Sequence, residues 1–522
     1  MTGPWDAPED GEYAGPQGSD ARDRRRDGRR DGSGTSTPLG DAMWDALVGS
    51  SAEDDPASAA EQAHRAAELD AEALRLVRSG RPAAALDPSV RAVQVWRDAL
   101  AGVRPEHPRW ARLADALRNL GDRLGKVGRW DEAAVPATES VCIYRRLVTA
   151  DDVPRYRSGL ARSLTHLAGV LLELRRYDEA LAKAEECLAV TRTLADARTG
   201  NPARYRADLA SELLNLGAHL RTVGRKDEAF AATSEGTEMY RELADPRSGD
   251  PRAYLPDLAR ALNNLMSGLA DRGDLDEAVL VGREAVLVRR ELADPTTGDP
   301  TAYLPRLGHS LHVLANTLWR AGRKDEATAT LREAIGVLRP LAESEAGRGD
   351  AHAAALGHAV AGLGYRMRLL DRFAEAVPLC EEAVGIFRRL SDGAAGSPTV
   401  HRPSLPFALD NLSLSLAHLG RGAEAVAVAE EAVAIRRDLA DPRRGDTARY
   451  IHPFATSLHL LARICDTTGL RVDLGLAAVA ESLEIHETMA ALGDRSYDRC
   501  LLAVRATRDH LLALPAADPT AG

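Results

Sequence analysis

A stripe of apolar positions returns along most of this chain at a fixed interval. In the clearest unit Leu213, Leu216, Gly217 and Leu220 share one helical face, because their spacings are three, one and three residues. A polar marker follows, Lys226-Asp227-Glu228-Ala229, and near copies of it place alanines at Ala133, Ala180, Ala229, Ala278, Ala327, Ala376 and Ala425. The steps between them are 47 once and then 49 five times. Weaker copies stand at Ala83-Ala84-Ala85 and around Leu476. Each unit reads as two helices. The first carries the apolar stripe and ends on a glycine (Gly128, Gly224, Gly273, Gly322, Gly420), the residue that a left-handed C-cap favours. The second opens on Asp-Glu, which suits the positive end of the helix dipole, and closes on an Arg-Arg-x-Leu run such as Arg289-Arg290-Glu291-Leu292.

The linker between units has fixed wording. Leu243-Ala244-Asp245-Pro246-Arg247-Ser248-Gly249-Asp250-Pro251 is echoed at Leu292 to Pro300 and at Leu439 to Asp446. Pro246 stops the second helix. Asp250-Pro251 predicts an N-cap followed by proline at the first helical position, where its missing N–H is not needed. Asn201-Pro202, Asp299-Pro300 and Ser397-Pro398 take the same place. Pro256, Pro305 and Pro403 follow five residues later and predict either a kink or a helix that starts near Tyr254 and Tyr303.

Composition changes this picture little. Ala, Leu, Glu and Arg dominate, all strong helix formers, and aromatics are only 4% of the chain, few for large compact cores. The net charge of −11 is spread as both signs through the array, unlike the basic stripe of a nucleic-acid binder. No apolar run is long enough for a membrane span, and the N-terminus lacks the features of a signal peptide, so a cytoplasmic protein is expected. Five scattered cysteines, with no CxxC or CxxH spacing, fit a reducing compartment. Residues 1–55 are rich in Gly, Pro, Asp, Ser and Arg and predict a disordered tail. That tail holds an arginine cluster from Arg22 to Arg30, balanced by Asp20, Asp23, Asp27 and Asp31, and an apolar island at Met43 to Val48. Residues 56–515 are expected to form the array and 516–522 a second disordered tail.

The repeat resembles the tetratricopeptide repeat family. Around Ala278 the matching first-helix residues are Leu262, Leu265, Met266 and Leu269, with Ala285 later; around Ala327 they are Leu311, Leu314, Ala315 and Leu318. The unit is about 15 residues longer than the family's usual 34. In this it is similar to long-repeat arrays of actinobacteria and, more distantly, to kinesin light chain repeats. The resemblance implies an all-α fold, a right-handed superhelical α-solenoid of about nine helix–turn–helix repeats. A C-terminal capping helix follows from Arg495 to Leu514, with Leu501, Leu502, Val504 and Leu511 as its apolar residues.

No catalytic constellation stands out. There is no phosphate-binding loop, no HExxH, no GxSxG and no Cys/His cluster, so the chain is not expected to be an enzyme and needs neither cofactor nor metal. His309 and His312 share a helix but lack a third ligand. The face of the first helix opposite the core stripe is the informative one, since in tetratricopeptide arrays it lines a concave groove. It carries Asn119, His166, Asn215, Asn264, Val313, Gly362 and Asn411 at one register, with Asn316, Tyr365 and Phe407 nearby. An amide offers donor and acceptor together, which suits an extended peptide, although such asparagines also bond neighbouring helices. The Lys/Arg-with-Asn pairs by which some relatives clamp a chaperone tail find no match at Arg118/Asp122, Thr165/Gly169, Leu214/Ala218 or Asn263/Ser267. The expected function is a non-catalytic scaffold or adaptor binding a peptide or partner helix through Asn119, His166, Asn215, Asn264, Asn316, Tyr365, Phe407 and Asn411. The alternative is a regulatory subunit for an NTPase or DNA-binding protein on another chain. A protein partner is expected, with no membrane and no nucleic acid; the oligomeric state is open.

Overall fold

The computed structural model describes residues 56–79, 81–196, 202–247, 251–343, 349–392, 401–443, 447–491 and 497–514. The arginine cluster, the Met43–Val48 island, both predicted tails and the N-cap positions Asn201, Asp250 and Ser397 lie outside them. Among the described residues there are nineteen α-helices and no strand. The chain divides into two compact units after Ala285. The first holds α1 (Pro56–Arg78), α2 (Leu86–Ala99), α3 (Trp110–Lys126), α4 (Trp130–Ala150), α5 (Pro154–Glu173), α6 (Tyr177–Ala195), α7 (Pro202–Thr222), α8 (Lys226–Leu243) and α9 (Pro251–Arg272). The division falls inside α10 (Leu275–Leu292). The second unit continues with α11 (Pro300–Arg320), α12 (Lys324–Glu343), α13 (Gly349–Leu369), α14 (Phe373–Asp392), α15 (Leu405–His418), α16 (Gly422–Ala440), α17 (Thr447–Thr468), α18 (Val472–Ala491) and α19 (Tyr497–Ala513). These are nine helix pairs and a final helix: the expected all-α repeat architecture.

The apolar stripe became the core. The marker alanines are all buried, Ala229 at 5% exposure and the other six at 0%. Leu213, Leu262, Met266, Leu269, Leu311 and Leu318 are buried with them. In the first unit one apolar core runs without a break from Ala66 of α1 to Cys187 of α6. Close approach depends on small residues. A Cβ on Gly159 of α5 would stand 2.1 Å from the Tyr144 ring of α4, whose hydroxyl donates to Asp115 Oδ1 at 2.9 Å. The final helix buries Val504 and Leu511 as expected, whereas Leu502 is 71% exposed. A helix docked by one stripe turns the residue two positions before Val504 to the opposite side.

Local signals also hold. The first helices end at left-handed glycines, with φ between 74° and 93° at Gly128, Gly224, Gly273, Gly322 and Gly420. Arg175 and Asp371 occupy the same place in their repeats and are forced to φ 58° and 56°. Asp299 caps α11, its Oδ1 accepting from Ala302 N–H at 3.1 Å. The linker before it is closed by its own Asp294, whose Oδ1 accepts from the backbone N–H groups of Thr296 (2.7 Å) and Thr297 (3.2 Å). Asp245 and Asp441 make the matching bond to Arg247 and Arg443. The prolines resolve differently from each other. α9 and α11 begin at Pro251 and Pro300, so Pro256 and Pro305 lie inside them, while Pro403 sits in a short 3₁₀ turn before α15.

Within each unit, neighbouring first helices approach one another (α3 with α5, α5 with α7, α7 with α9; α11 with α13, α13 with α15, α15 with α17). The backbones of successive second helices stand further apart, and long side chains span the space. Arg97 reaches Glu139 at 2.7 Å, Arg145 Glu186 at 2.6 Å, Arg192 Glu235 at 3.5 Å and Arg241 Glu284 at 2.7 Å. In the second unit Arg290 reaches Glu333 at 2.6 Å, Arg339 Glu382 at 2.7 Å, Arg388 Glu431 at 2.5 Å, and Arg437 pairs with Glu481. Each α-helix from α4 to α16 that stands second in its pair thus carries Glu-x5-Arg, accepting from the helix before and donating to the helix after.

Candidate functional site

The first-helix face of the first unit is polar and largely satisfied from within. Asn119 of α3 lines a shallow cleft against α1, with Asp70, Leu74, Val77, Asp122 and Lys126. His166 of α5 lies over Gly121, its Nε2 only 2.6 Å from where a Cβ would stand. That nitrogen is screened from water without a hydrogen-bond partner, and burial pushes the imidazole below its usual range, so the ring is neutral near pH 7. Asn215 donates to Glu212 Oε2 at 3.3 Å. Glu212 is itself raised above the ordinary carboxyl range by burial beside Thr165, Asn215 and Cys187. Asn264 is half-buried on α9. The charges on this face are mutually paired: Lys126 with Asp122 at 2.6 Å, and Arg118 and Arg162 each with Asp115 at 4.0 Å.

The second unit brings its four candidates into one set of contacts between first helices. Tyr365 of α13 and Phe407 of α15 meet with ring centroids 5.8 Å apart. Asn316 of α11 is exposed, and its Oδ1 accepts from Arg366 Nη2 of α13 at 2.7 Å. Arg366 is only 5% exposed and lies over the Trp319 ring, 5.4 Å from its centroid. Asn411 departs from the expected ligand-facing amide. It is 4% exposed, its oxygen accepts from Arg368 Nε at 3.0 Å, and its nitrogen donates to the Phe407 carbonyl at 2.8 Å. Two of the predicted asparagines therefore hold arginines of the neighbouring repeat in place, and those arginines, not the amides, were missing from the sequence reading. Beside them His312 is pushed down to about 3 by burial and by Arg366, and its Nδ1 is buried without a hydrogen-bond partner. His309 and His358 are also lowered by burial, so these three imidazoles are neutral at pH 7.

Charge in the second unit is mixed on the second helices, as expected of interspersed signs, but biased toward cations on three first helices. The first helices α11, α13 and α15 contain two carboxylates, Asp350 and Asp410, against four arginines and five histidines. The second helices α12, α14 and α16 contain twelve carboxylates against seven Lys or Arg. Asp410 is withdrawn from the face, bound 2.7 Å from Arg436 Nη1 and accepting from Ser457 Oγ at 3.1 Å. The signal was present in the sequence, but it appears only when the two helices of each unit are counted apart.

Among the described residues no group of three or more His, Cys, Asp or Glu side chains is placed to hold a metal ion. No described helix is long and apolar enough to cross a membrane. The five cysteines are free thiols; burial pushes Cys187 and Cys380 up to about 12.

The tetratricopeptide repeat family matches at residues 113–152, 160–197, 307–339 and 408–443, and the anaphase-promoting complex subunit 5 family matches at 203–248. No curated relative matches the sequence. Similar solved structures include BtubC (BKLC) from P. vanneervenii, 21% identical over 51% of this chain and 92% of that one, with a TM-score of 0.40. The TPR-like repeats of a putative kinesin light chain from Podosopora anserina are 16% identical over 46% of this chain and 100% of that one, with a TM-score of 0.34. A Rap protein complexed with competence and sporulation factor is 10% identical over 83% of this chain and 99% of that one, with a TM-score of 0.41. Four stretches of the chain, each starting in a first helix and ending in or just past its partner second helix, thus match the tetratricopeptide repeat family.

Proposed function

We propose that this protein is a scaffold that holds a carboxylate-rich peptide segment of a partner protein on the first-helix face of its second unit. The observation that carries the reading is the segregation of charge there: two carboxylates against four arginines on α11, α13 and α15, in a chain whose net charge is −11. Such a face attracts an acidic segment over distance and rejects a basic one. Tyr365 and Phe407 supply apolar area for a side-chain anchor, Arg320 and Arg366 supply charge, and Asn411 positions Arg368. On the first unit Asn119, His166, Asn215 and Asn264 give its own first-helix face neutral donors and acceptors for peptide backbone.

Fluorescence anisotropy tests this with labelled peptides of equal length, one of Asp and Glu, one of Lys and one of Ser. The acidic peptide binds, the other two do not, and Arg320→Glu weakens the acidic peptide about tenfold, the equivalent of about 1.4 kcal/mol. Equal binding of all three peptides, or an unchanged affinity in Arg320→Glu, refutes the charge argument. For the first unit, Asn215→Ala with Asn264→Ala reduces partner recovery in a pull-down while helical circular dichroism is retained; full recovery of the partner removes the asparagines from the site.

A further inference from the structure

The ion pairs between second helices bear on how the first-helix face is controlled. In each unit neighbouring first helices approach one another, whereas the second helices do not approach as closely and are joined by Arg–Glu pairs. The junction between neighbouring repeats is therefore packed on one side and braced on the other. Any change in the spread of the first-helix face within a unit must lengthen or shorten the distance that a brace spans.

The pattern is regular enough to be a device. Eight successive second-helix junctions each carry one pair, with the arginine always on the earlier helix. The departures fall at the two ends of the array. In α2, where no second helix precedes, Arg91 stands six residues before Arg97 in place of the glutamate. In α18, where no second helix follows, Glu487 stands six residues after Glu481 in place of the arginine, and Arg505 of α19 reaches back to it at 2.9 Å. The last brace thus has reversed polarity and is made by the final helix.

All the braces but the first, whose Glu139 is buried, are about half exposed; in one of them the Arg241 side chain is 33% exposed and Glu284 41%. An exposed pair contributes only about 0.2–1 kcal/mol and weakens as salt screens it. A row of such pairs is stiff at low ionic strength and slack at high.

We propose that the Arg–Glu ladder on the second helices is a salt-sensitive brace that sets the spread of the first-helix face. As regulation of a binding face this rests on the function proposed above. The brace itself is measurable without any ligand, so the two can fail separately.

Ala231 of α8 and Leu280 of α10 are both exposed and hold equivalent places on the two helices that the Arg241–Glu284 brace joins within the first unit. Spin labels are attached to Ala231→Cys and Leu280→Cys in the full chain, with Cys142→Ser and Cys500→Ser as background. Distance distributions are measured by pulsed electron resonance at about 0.01 M and about 1 M NaCl, where the screening length is about 30 Å and about 3 Å. The parent gives a narrow distribution at low salt and loses it at high salt. Arg241→Glu loses the narrow component at both, Arg241→Gln does so with no new repulsion, and Arg241→Glu with Glu284→Arg recovers it at low salt. Circular dichroism confirms that each variant keeps its helices. A parent distribution indifferent to salt, or Arg241→Gln as narrow as the parent at low salt, overturns the proposal.

Discussion

Asp410 and Arg436 offer the sharpest test of what holds the second unit together. Arg436 of α16 is 3% exposed and stands between α15 and α17. Its guanidinium binds Asp410 at 2.7 Å, donates to the Pro453 carbonyl at 3.1 Å and bonds Ser457 Oγ. The position belongs to a register where other repeats bury Tyr144, Thr191, Tyr240, Arg289, Leu338 and Phe387, so a buried arginine stands here in two repeats, at Arg289 and Arg436. Burial pushes the Asp410 carboxyl up, and Arg436 pulls it back. Asp410→Asn keeps the shape but leaves a buried cation without its anion, a change that costs about 3–5 kcal/mol. Replacing both residues, Asp410→Ala with Arg436→Met, removes the stranded charge and is expected to stay within about 1 kcal/mol of the parent, because the gain and the desolvation of a buried pair nearly cancel. A single melting temperature is a poor readout in a chain of two units. Amide exchange in α15, α16 and α17 reads local opening directly. A loss of about 3 kcal/mol appears there as exchange accelerated more than about 100-fold in Asp410→Asn. Exchange in Asp410→Asn within a factor of about two of the parent, or a double variant as labile as the single, would refute the reasoning.

Two further predictions follow from the same kind of accounting. Burial raises the Glu212 carboxyl, beside Thr165, Asn215 and Cys187, so the folded state resists its ionisation; the stability it allows is complete below the unfolded carboxyl range and is lost as pH rises through the raised folded value. Glu212→Gln therefore slows amide exchange in α5, α6 and α7 relative to the parent at pH 8 and leaves it unchanged near pH 4; a gain at the acid end instead would contradict the assignment. Arg175 is held at φ 58° where other repeats use glycine, and a non-glycine residue pays about 1–2 kcal/mol for that conformation, partly offset by the extra freedom of glycine in the unfolded chain. Arg175→Gly is expected to slow amide exchange in α5 and α6 by about fivefold, near 1 kcal/mol, and Asp371→Gly to gain less because Asp tolerates the left-handed region better. Faster exchange in Arg175→Gly would mean that the arginine side chain contributes more than its backbone costs.

The parts of the fold that were legible are those written by a local rule. Ala133 to Ala425 mark a period, the stripe around Leu262 marks a buried face, Gly224 and Gly322 mark helix ends, and Asp299-Pro300 marks a helix start. Each needs only its own few neighbours to act. The arginines at the candidate site are different. Arg366 and Arg368 lie on the same turn of α13, yet one bonds back to Asn316 and the other forward to Asn411. Which neighbour a long side chain takes depends on how two helices from adjacent repeats are set against each other, and apolar periodicity does not encode that. The same holds for Leu502: the helix was legible, but its docked side was not.

The ladder was within reach of the sequence and still went unread, because its signal is a relation between repeats. Glu235 and Arg241 are six residues apart on α8, but neither bonds the other; Glu235 belongs to Arg192 before it and Arg241 to Glu284 after it. Read inside one repeat, the two are ordinary surface charges of an amphipathic helix. Read across repeats, each is half of a contact whose partner lies 43 residues away. A packed core could hold this array with the outer charges in any order, since the buried alanines and leucines already fix the helix pairing. An ordered row of opposite charges on the side away from the proposed binding face is then surplus to folding. Its consequence is mechanical: it ties the spacing of the second helices to ionic strength and leaves the first-helix contacts as the hinge.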